Sequence, residues 1–376
     1  MVEPKKTVLY DEHLKLGGKM SDFAGWIMPL WYPTGQVEEH HATRQKVGLF
    51  DICHMGEFDI SGPGSKSFVE NLLCNKVWKL TDNRAMYNFL LNERGGVIDD
   101  CIIYRFSEDH WMLVVNAGGI EGDFEWLKKN APSGVELKNI SDQTAKIDVQ
   151  GPNAPKLLAK ISDKEIIAGL KFFRFASDVD INGMKVLVSR TGYTGEIGFE
   201  LYTDVENASK LWNFLLEEGK EFGILPCGLG ARDTLRTEAG LPLHGHELHP
   251  DRVAVGHPWE FVLDSEHDFI GKQAIVSARE NGKHEYVYGF ILEGRRKAMP
   301  GYKVFHQSSE IGTVLSGVIS PTLENSPIGF VLVNKQLEPE TELEFKRDEK
   351  QPAMRGVTKE IPLVPGTARK KMAEFL

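Results

Sequence analysis

The chain has 376 residues, of which 41% are hydrophobic and 26% charged, and its formal net charge is −10 at pH 7. That length carries two or three domains with cores of their own, and that composition is ordinary for a water-soluble globular protein. The acidic balance disfavours nucleic acid as the main partner, and no apolar run approaches the roughly 18 residues that cross a bilayer, so no membrane role is expected.

In chain order, the start Met1-Val2-Glu3-Pro4-Lys5-Lys6 lacks the apolar core of a secretory signal. Glu38-Glu39-His40-His41 carries ligand-type side chains, but successive helix residues diverge by about 100°, so a solvated helix face is predicted there rather than a metal site. Cys53, Cys74, Cys101 and Cys227 are widely spaced with no Cys-x-x-Cys pair. That excludes a disulfide framework or a zinc site and points to a reducing compartment, the bacterial cytoplasm or, for a processed eukaryotic protein, the mitochondrial matrix. Pro63-Gly64-Ser65-Lys66-Ser67 opens a helix whose apolar face is Phe68, Val69, Leu72 and Leu73. Ala85 to Leu91, Val97 to Phe106 and Trp111 to Val115 read as strands, with Glu93-Arg94-Gly95-Gly96 as a turn. A further helix follows Asn207, with Leu211, Phe214 and Leu215 inward.

After about residue 280 the texture changes to short strands between turns, at 286–292, 303–306, 312–317 and 328–333. This predicts a small β-barrel over 280–368, appended to an α+β region over 1–275. The basic end, Arg369 to Lys371, is expected to be mobile.

Several familiar signatures are missing. There is no Gly-x-x-x-x-Gly-Lys-Ser/Thr loop and no Gly-x-Ser-x-Gly elbow, and Gly228-Leu229-Gly230-Ala231-Arg232-Asp233 fails the dinucleotide fingerprint at its last position. His244 and His246 could share a strand face, with His249 and His257 further on, but no carboxylate is spaced to complete a metal triad. What remains are polar groups in apolar or glycine-rich settings. Asp99 and Asp100 interrupt Gly95-Gly96-Val97-Ile98-Asp99-Asp100-Cys101-Ile102-Ile103. Neighbouring strand residues point to opposite faces, so one of the two carboxylates is withdrawn from water if both faces are covered. Glu200 lies between Phe199 and Leu201, and Arg232 lies in a run of small residues. Arg232 or Arg236 either pairs with a buried acid or faces a ligand, and spacing alone leaves both readings open.

These segments carry a resemblance. Asp22-Phe23-Ala24-Gly25-Trp26, Gly48-Leu49-Phe50-Asp51-Ile52-Cys53-His54-Met55-Gly56-Glu57, Gly95 to Asp100, Val149-Gln150-Gly151-Pro152-Asn153, Thr191-Gly192-Tyr193-Thr194-Gly195-Glu196, Gly228 to Arg236 and Ser316 to Leu323 together resemble the glycine cleavage T-protein (aminomethyltransferase) family along nearly the whole chain. The resemblance implies a three-domain cloverleaf of the folate-binding T-protein type, with two interleaved α+β domains over 1–275 and a C-terminal barrel. It implies tetrahydrofolate as co-substrate, a lipoylated H-protein as partner and no metal. The reaction it implies moves a one-carbon unit from the aminomethyl-lipoyl arm to tetrahydrofolate and releases ammonia. By motif position Asp99 matches the catalytic aspartate. Glu200 and Arg232 match the pterin-binding pair, and Tyr193, Tyr87, Met55 and Asn116 match groups lining the folate. Asp100 is expected to be a structural acid, bonded to backbone or to a cation.

The residue types suit that chemistry. A carboxylate accepts the adjacent donors of a pterin edge, a guanidinium donates to its oxygen, and a fixed carboxylate stabilises an iminium-like carbon. The chain departs from the family at Cys53, where Ser is usual, and at Leu243-His244-Gly245, where Leu-Tyr-Gly is usual. The stretch His249 to Trp259 is shortened, and the terminus Val364 to Arg369 lacks the customary aromatic pair. Rival readings are a folate-dependent demethylase, which often lacks the aspartate, and a non-enzymatic folate-binding protein of iron–sulfur assembly. The latter carries a Lys-Gly-Cys motif, whereas Asp268 to Gln273 has no Cys. A sarcosine-oxidase-type relative would need a fused flavin domain for which the chain has no room. For a carrier as acidic as this chain, docking needs local basic charge, and Arg295-Arg296-Lys297 and Arg369-Lys370-Lys371 are the dense clusters.

Overall fold

The computed structural model describes residues 3–282, 284–348 and 350–376. Met1 and Val2, where the reading of the N-terminus begins, lie outside them. One antiparallel and one mostly antiparallel sheet with their helices form the body ahead of the barrel, with a three-stranded sheet of Lys5–Lys6, Trp26–Trp31 and Lys19–Phe23 beside them. A five-stranded sheet runs in the order Arg84–Leu91, Val97–Ser107, His110–Val115, Gly56–Ser61 and Glu136–Asn139. A six-stranded sheet runs Phe175–Ile181, Met184–Ser189, Gly198–Asp204, Thr144–Gln150, Val47–Asp51 and Ile224–Cys227, with only its last pair parallel. The remaining six strands close a barrel. The fold is therefore α+β with a C-terminal β-barrel.

Each body packs for the reason its pattern gave. The helix Ser65–Leu72 buries Phe68, Val69 and Leu72 against Ile103, Trp111 and Leu113 of the five-stranded sheet. The helix Ala208–Glu218 buries Leu211, Trp212 and Leu215 on the six-stranded sheet, while Phe214, expected inside, is only partly covered. The sheets meet through Tyr104, Met112, Phe175 and Tyr202. The barrel meets the five-stranded sheet through Phe89, Leu91, Trp259, Val287 and Phe330.

In the barrel, the strand expected over 312–317 extends to Ser309–Ser320, and the unanticipated strands Glu342–Lys346 and Met354–Lys359 complete the ring. Their sequences are half polar because only alternate residues, such as Leu343 and Phe345, face the core. At the predicted turn, Gly95 has φ +78°, and a Cβ on Gly96 would lie 1.9 Å from Pro250 O. Glycine at 96 is what lets the 249–253 loop bond to this edge, through Val97 N to His249 O and Ala254 N to Gly95 O.

Two surface expectations are overturned. The helix Gln36–Gln45 buries Glu39 and His40, so the motif there is not a solvated face. Glu39 accepts from Tyr32 N and Gly228 N, and His40 contacts Thr234, Thr322 and Glu238. The basic end is tethered rather than mobile. The Arg190 guanidinium donates to Ala368 O and Lys370 O, and Ala368 N bonds to Gly195 O.

Glu238 joins the bodies. It ends the helix Leu229–Glu238 and accepts from Arg44 Nε and Nη2, Ser320 Oγ, Thr322 N and Thr322 Oγ1, with His40 Nε2 at 3.2 Å. Its backbone oxygen receives Val364 N. Burial works to raise its pKa, but the His40 bond and the Arg44 charge hold it down at about 2. A depressed folded pKa contributes stability above the unfolded carboxylate value that is lost as pH falls through the folded one. Glu238→Ala leaves Arg44 with Glu196 as its one carboxylate, takes the acceptor from two barrel hydroxyls, and should cost about 3–5 kcal/mol in urea unfolding. A cost under 1 kcal/mol would show that the network is dispensable.

Candidate active site

A cavity of about 780 Å³ opens among the sheets, the 239–244 and 258–261 segments and the chain leaving the barrel. That volume is of the size that encloses a small-molecule ligand. Met55, Tyr87, Asn116, Tyr193, Glu200 and Arg232, the six expected ligand-binding residues, all line it. They come from separate stretches of chain, so the folding of the two sheets against each other is what assembles them.

Asp99 does not line it. Along Val97–Ser107 the side chains of Val97, Asp99, Cys101 and Ile103 are buried, while Ile98, Asp100 and Ile102 are less covered. Asp100 and Ile102 reach the cavity wall, and Asp99 is 0% exposed behind it. The orientation is the reverse of the expected one: Asp100, not Asp99, faces the cavity. The reason is strand parity, which the sequence could not settle because both faces of this strand are covered.

One asparagine links the two acids. Asn116 Nδ2 donates to Asp99 Oδ1 at 2.7 Å and to Asp100 Oδ1 at 2.8 Å, while Asn116 N donates to Asp99 Oδ2. Tyr87 Oη donates to Asp100 Oδ2 at 2.8 Å. Burial, followed by the Asp99 charge, pushes Asp100 up to about 7. Behind Asp99 sits Asp123 on the helix Ile120–Asn130, 1% exposed and pushed up to about 10 by burial and then by Asp99. Gly119, which lines the cavity, separates it from this carboxyl pair, and a Cβ there would lie 2.4 Å from Asp123 Oδ2 and 3.0 Å from Asp99 Oδ2.

The floor holds a second charged group. Glu200 Oε2 accepts from Thr191 Oγ1 at 2.7 Å and from the Tyr202 and Tyr104 hydroxyls, and Oε1 lies 3.4 Å from Lys146 Nζ. Burial works to raise Glu200, but the Lys146 charge and the Thr191 bond hold it below the usual carboxylate range. Arg232 lies 4.6 Å from the Tyr193 ring centroid and 3.7 Å from Asp148 Oδ2. Arg232 Nη1, Asp148 Oδ2, His54 Nδ1 and Glu57 Oε1 are buried without a hydrogen-bond partner. Burial and the Arg232 charge push His54 down to about 3, and burial raises Glu57 to about 8. Of these four residues Arg232 and His54 line the cavity, whereas Asp148 and Glu57 lie behind it, and an unpaired guanidinium nitrogen at the wall is a donor that a polar ligand could use.

Lys146 and Asp148 were not singled out from the sequence, although charges two apart within Ala145-Lys146-Ile147-Asp148-Val149 are a legible sign of one polar strand face. The histidines part company. His244 lines the cavity with Nδ1 3.6 Å from Asp99 Oδ1 and Nε2 3.2 Å from Val97 O, whereas His246 Nδ1 meets Leu315 O.

Comparison with known proteins agrees along the chain. Residues 9–264 match the GCVT N-terminal domain, and residues 287–360 match the glycine cleavage T-protein C-terminal barrel domain. The chain is 45% identical over 345 residues to an aminomethyltransferase of Geobacillus sp. (strain WCH70), covering 91% of this chain and 94% of that protein. It is 43% identical over 337 residues to an aminomethyltransferase of Alkaliphilus metalliredigens (strain QYMF), covering 89% and 90%. The crystal structure of the glycine cleavage system aminomethyltransferase T from Bartonella henselae matches with a TM-score of 0.87 at 31% identity, over 96% of this chain and 99% of that one.

Asp123 gives a pH test of the carboxyl cluster. Its folded pKa is raised, so the folded chain keeps a proton the unfolded chain has lost. The stability it confers is full below about pH 4 and is lost as pH rises toward about 10. Asp123→Asn should therefore flatten the fall of melting temperature between pH 5.5 and 8.5. Parallel profiles for variant and wild type would place the proton elsewhere.

Proposed function

The chain belongs to the glycine cleavage T-protein family, and from that premise we propose how its cavity carries out aminomethyl transfer. The activity is a tetrahydrofolate-dependent one-carbon transfer within the glycine cleavage system. The aminomethyl group is supplied on the lipoyl arm of an H-protein. A folate nitrogen attacks the methylene carbon and the bond from that carbon to the amine breaks. When the second folate nitrogen closes the bridge, the carbon–sulfur bond breaks too. The two folate N–H hydrogens end on ammonia and on the dihydrolipoyl sulfur, and 5,10-methylenetetrahydrofolate leaves.

The observation that carries this reading is the convergence of Met55, Tyr87, Asn116, Tyr193, Glu200 and Arg232 on one cavity whose floor holds unpaired polar atoms. The pterin lies on that floor, with Arg232 Nη1 donating to its ring oxygen and Glu200 Oε1 accepting from its donor edge. Tyr193, Tyr87 and Met55 supply flat and pliable walls. Asp100, held by Tyr87 and Asn116, is the carboxylate positioned for the reacting nitrogen and for the cationic carbon that develops as ammonia leaves. Four free thiols and the bacterial relatives fit a cytoplasmic setting.

Activity should rise with pH through about 7 as Asp100 ionises. Asp100→Asn should lower turnover with aminomethylated H-protein by roughly 10²-fold or more and remove that acid limb, with folate affinity little changed. Near-normal turnover would return the role to Asp99. Separately, Glu200→Gln and Arg232→Leu each leave a polar group of the ligand unpaired, so equilibrium titration should show folate binding weakened by about 2–4 kcal/mol. Dissociation constants equal to wild type in folded variants would remove the pair from the site.

The carrier contact is proposed for Arg295 and Lys297, both exposed. Arg295→Glu with Lys297→Glu should raise KM for the H-protein and flatten its salt dependence while sparing folate affinity. Unchanged KM and salt slope would send the docking surface elsewhere.

A further inference from the structure

The floor of the cavity carries a buried lysine to which the proposed reaction gives no task. Lys146 lines the cavity and is 0% exposed. It lies on the strand Thr144–Gln150, opposite Tyr202 of the strand Gly198–Asp204, with Asp148 opposite Glu200. Strand parity puts these four side chains on one face of the six-stranded sheet, so two acids stand directly across from each other. Like charges in that register destabilise the pairing unless cations sit beside them.

Two cations do. Arg232 Nη1 lies 3.7 Å from Asp148 Oδ2, and Lys146 Nζ lies 3.4 Å from Glu200 Oε1. The ammonium is also 3.6 Å from Met55 Sδ and 5.1 Å from the centroid of the Tyr202 ring. A thioether and an aromatic face are weak partners for a buried ammonium, so the Glu200 carboxylate is what compensates its charge. The dependence runs both ways. The hydroxyls bonded to Glu200, those of Thr191, Tyr104 and Tyr202, are neutral. Asp148 and Glu57, from the neighbouring strands, are acids whose charge would oppose its own. His54 is pushed down to about 3 and stays neutral, and Arg232, on the helix Leu229–Glu238, is the group assigned to the ligand oxygen.

We infer that Lys146 is a positioning residue for the pterin clamp, holding Glu200 as an ionised acceptor for a ligand edge that carries two donors. The inference rests on the pterin lying at the floor, as proposed above. A carboxylate accepts from a 2-amino group and a ring N–H together, whereas a protonated carboxyl would turn one hydroxyl hydrogen against that edge. Burial works to protonate Glu200, and the Lys146 charge is the first of the influences that hold it below the usual carboxylate range. Lys146 therefore acts through Glu200, and what it sets is the choice of ligand edge.

The test is tetrahydrofolate affinity by equilibrium titration between about pH 6 and 8.5, a range over which wild-type Glu200 stays ionised. Without the ammonium the carboxyl titrates higher, so Lys146→Met should weaken tetrahydrofolate on the order of tenfold at the acid end and recover affinity as pH rises. Lys146→Gln, which also loses the charge, should follow it, and Lys146→Arg should restore the wild-type profile. An analogue with hydrogen in place of the 2-amino group offers one donor fewer, so the ratio of the two affinities should shrink in Lys146→Met. Asp148 and Glu57 also feel Lys146, so the added slope should vanish in the double variant Lys146→Met, Glu200→Gln. A slope that survives there would belong to those acids and overturn the inference. Equal weakening of both ligands at every pH would make Lys146 a packing residue only. Wild-type affinity in Lys146→Met, with Glu200→Gln weakened, would remove Lys146 and leave the floor assignment standing. Wild-type affinity in Glu200→Gln would remove the floor assignment itself.

Discussion

The geometry of the cavity depends on a buried ion cluster centred on Glu238, which is not itself among the lining residues. Glu238 stands at the C-terminal end of a helix, where the backbone dipole disfavours a negative charge, and it is withdrawn from water besides. It is tolerated there because Arg44 forks onto it and barrel hydroxyls complete its shell. The same Arg44 reaches Glu196, and Glu196 in turn receives Thr367 of the C-terminal segment. One arginine therefore ties a helix of the first body to the barrel and to the chain that leaves it. Glu196, Gly195, Val364 and Ala368 all face the cavity, so the walls are set by this cluster rather than by local propensity.

The cavity floor follows the opposite rule. Around Glu238 every charge is satisfied, whereas around Arg232 several buried atoms are not. Orphaned polar atoms cost about 1–3 kcal/mol each, and a fold keeps them where a ligand supplies the missing partner. Behind that floor Asp148 is raised to about 7 by burial and then by the Glu200 charge, and Glu57 is raised to about 8 by burial.

The sequence conveyed the parts of this that depend on local pattern. The strand pattern located three strands of the five-stranded sheet to within a residue or two, though not Gly56–Ser61 or Glu136–Asn139, and the helix Ser65–Leu72 buries the face its spacing implied. Motif resemblance picked out six residues that line one cavity, including Tyr87 and Asn116, whose own surroundings in the sequence announce nothing. It failed where tertiary context decides. The motif at Glu38 to His41 reads as solvent-facing until the Leu229–Glu238 helix is laid on it, and the basic end reads as loose until Arg190 takes hold of its carbonyls. The two half-polar barrel strands carried too few apolar residues to stand out from the turns around them.

Asp99 and Asp100 illustrate how neighbouring residues with opposite orientation can still form one hydrogen-bonded unit. Two adjacent strand acids cannot share a face, yet a single amide nitrogen, Asn116 Nδ2, bonds both across the end of the strand. Asp99 further accepts Asn116 N and Asp100 N, so the withdrawn acid fixes both the asparagine and the backbone of its neighbour. Its effect on the cavity is therefore exerted through Asn116 and Asp100, by position and by charge, since its negative field is part of what raises Asp100 toward neutrality. Asp123 completes the arrangement. Three carboxyls in contact cannot all ionise, and a protonated Asp123 turned toward Asp99 keeps the surplus charge on the side nearer the cavity. The pair of aspartates that first looked like a liability in a buried strand is a support and the group it supports, with one asparagine between them.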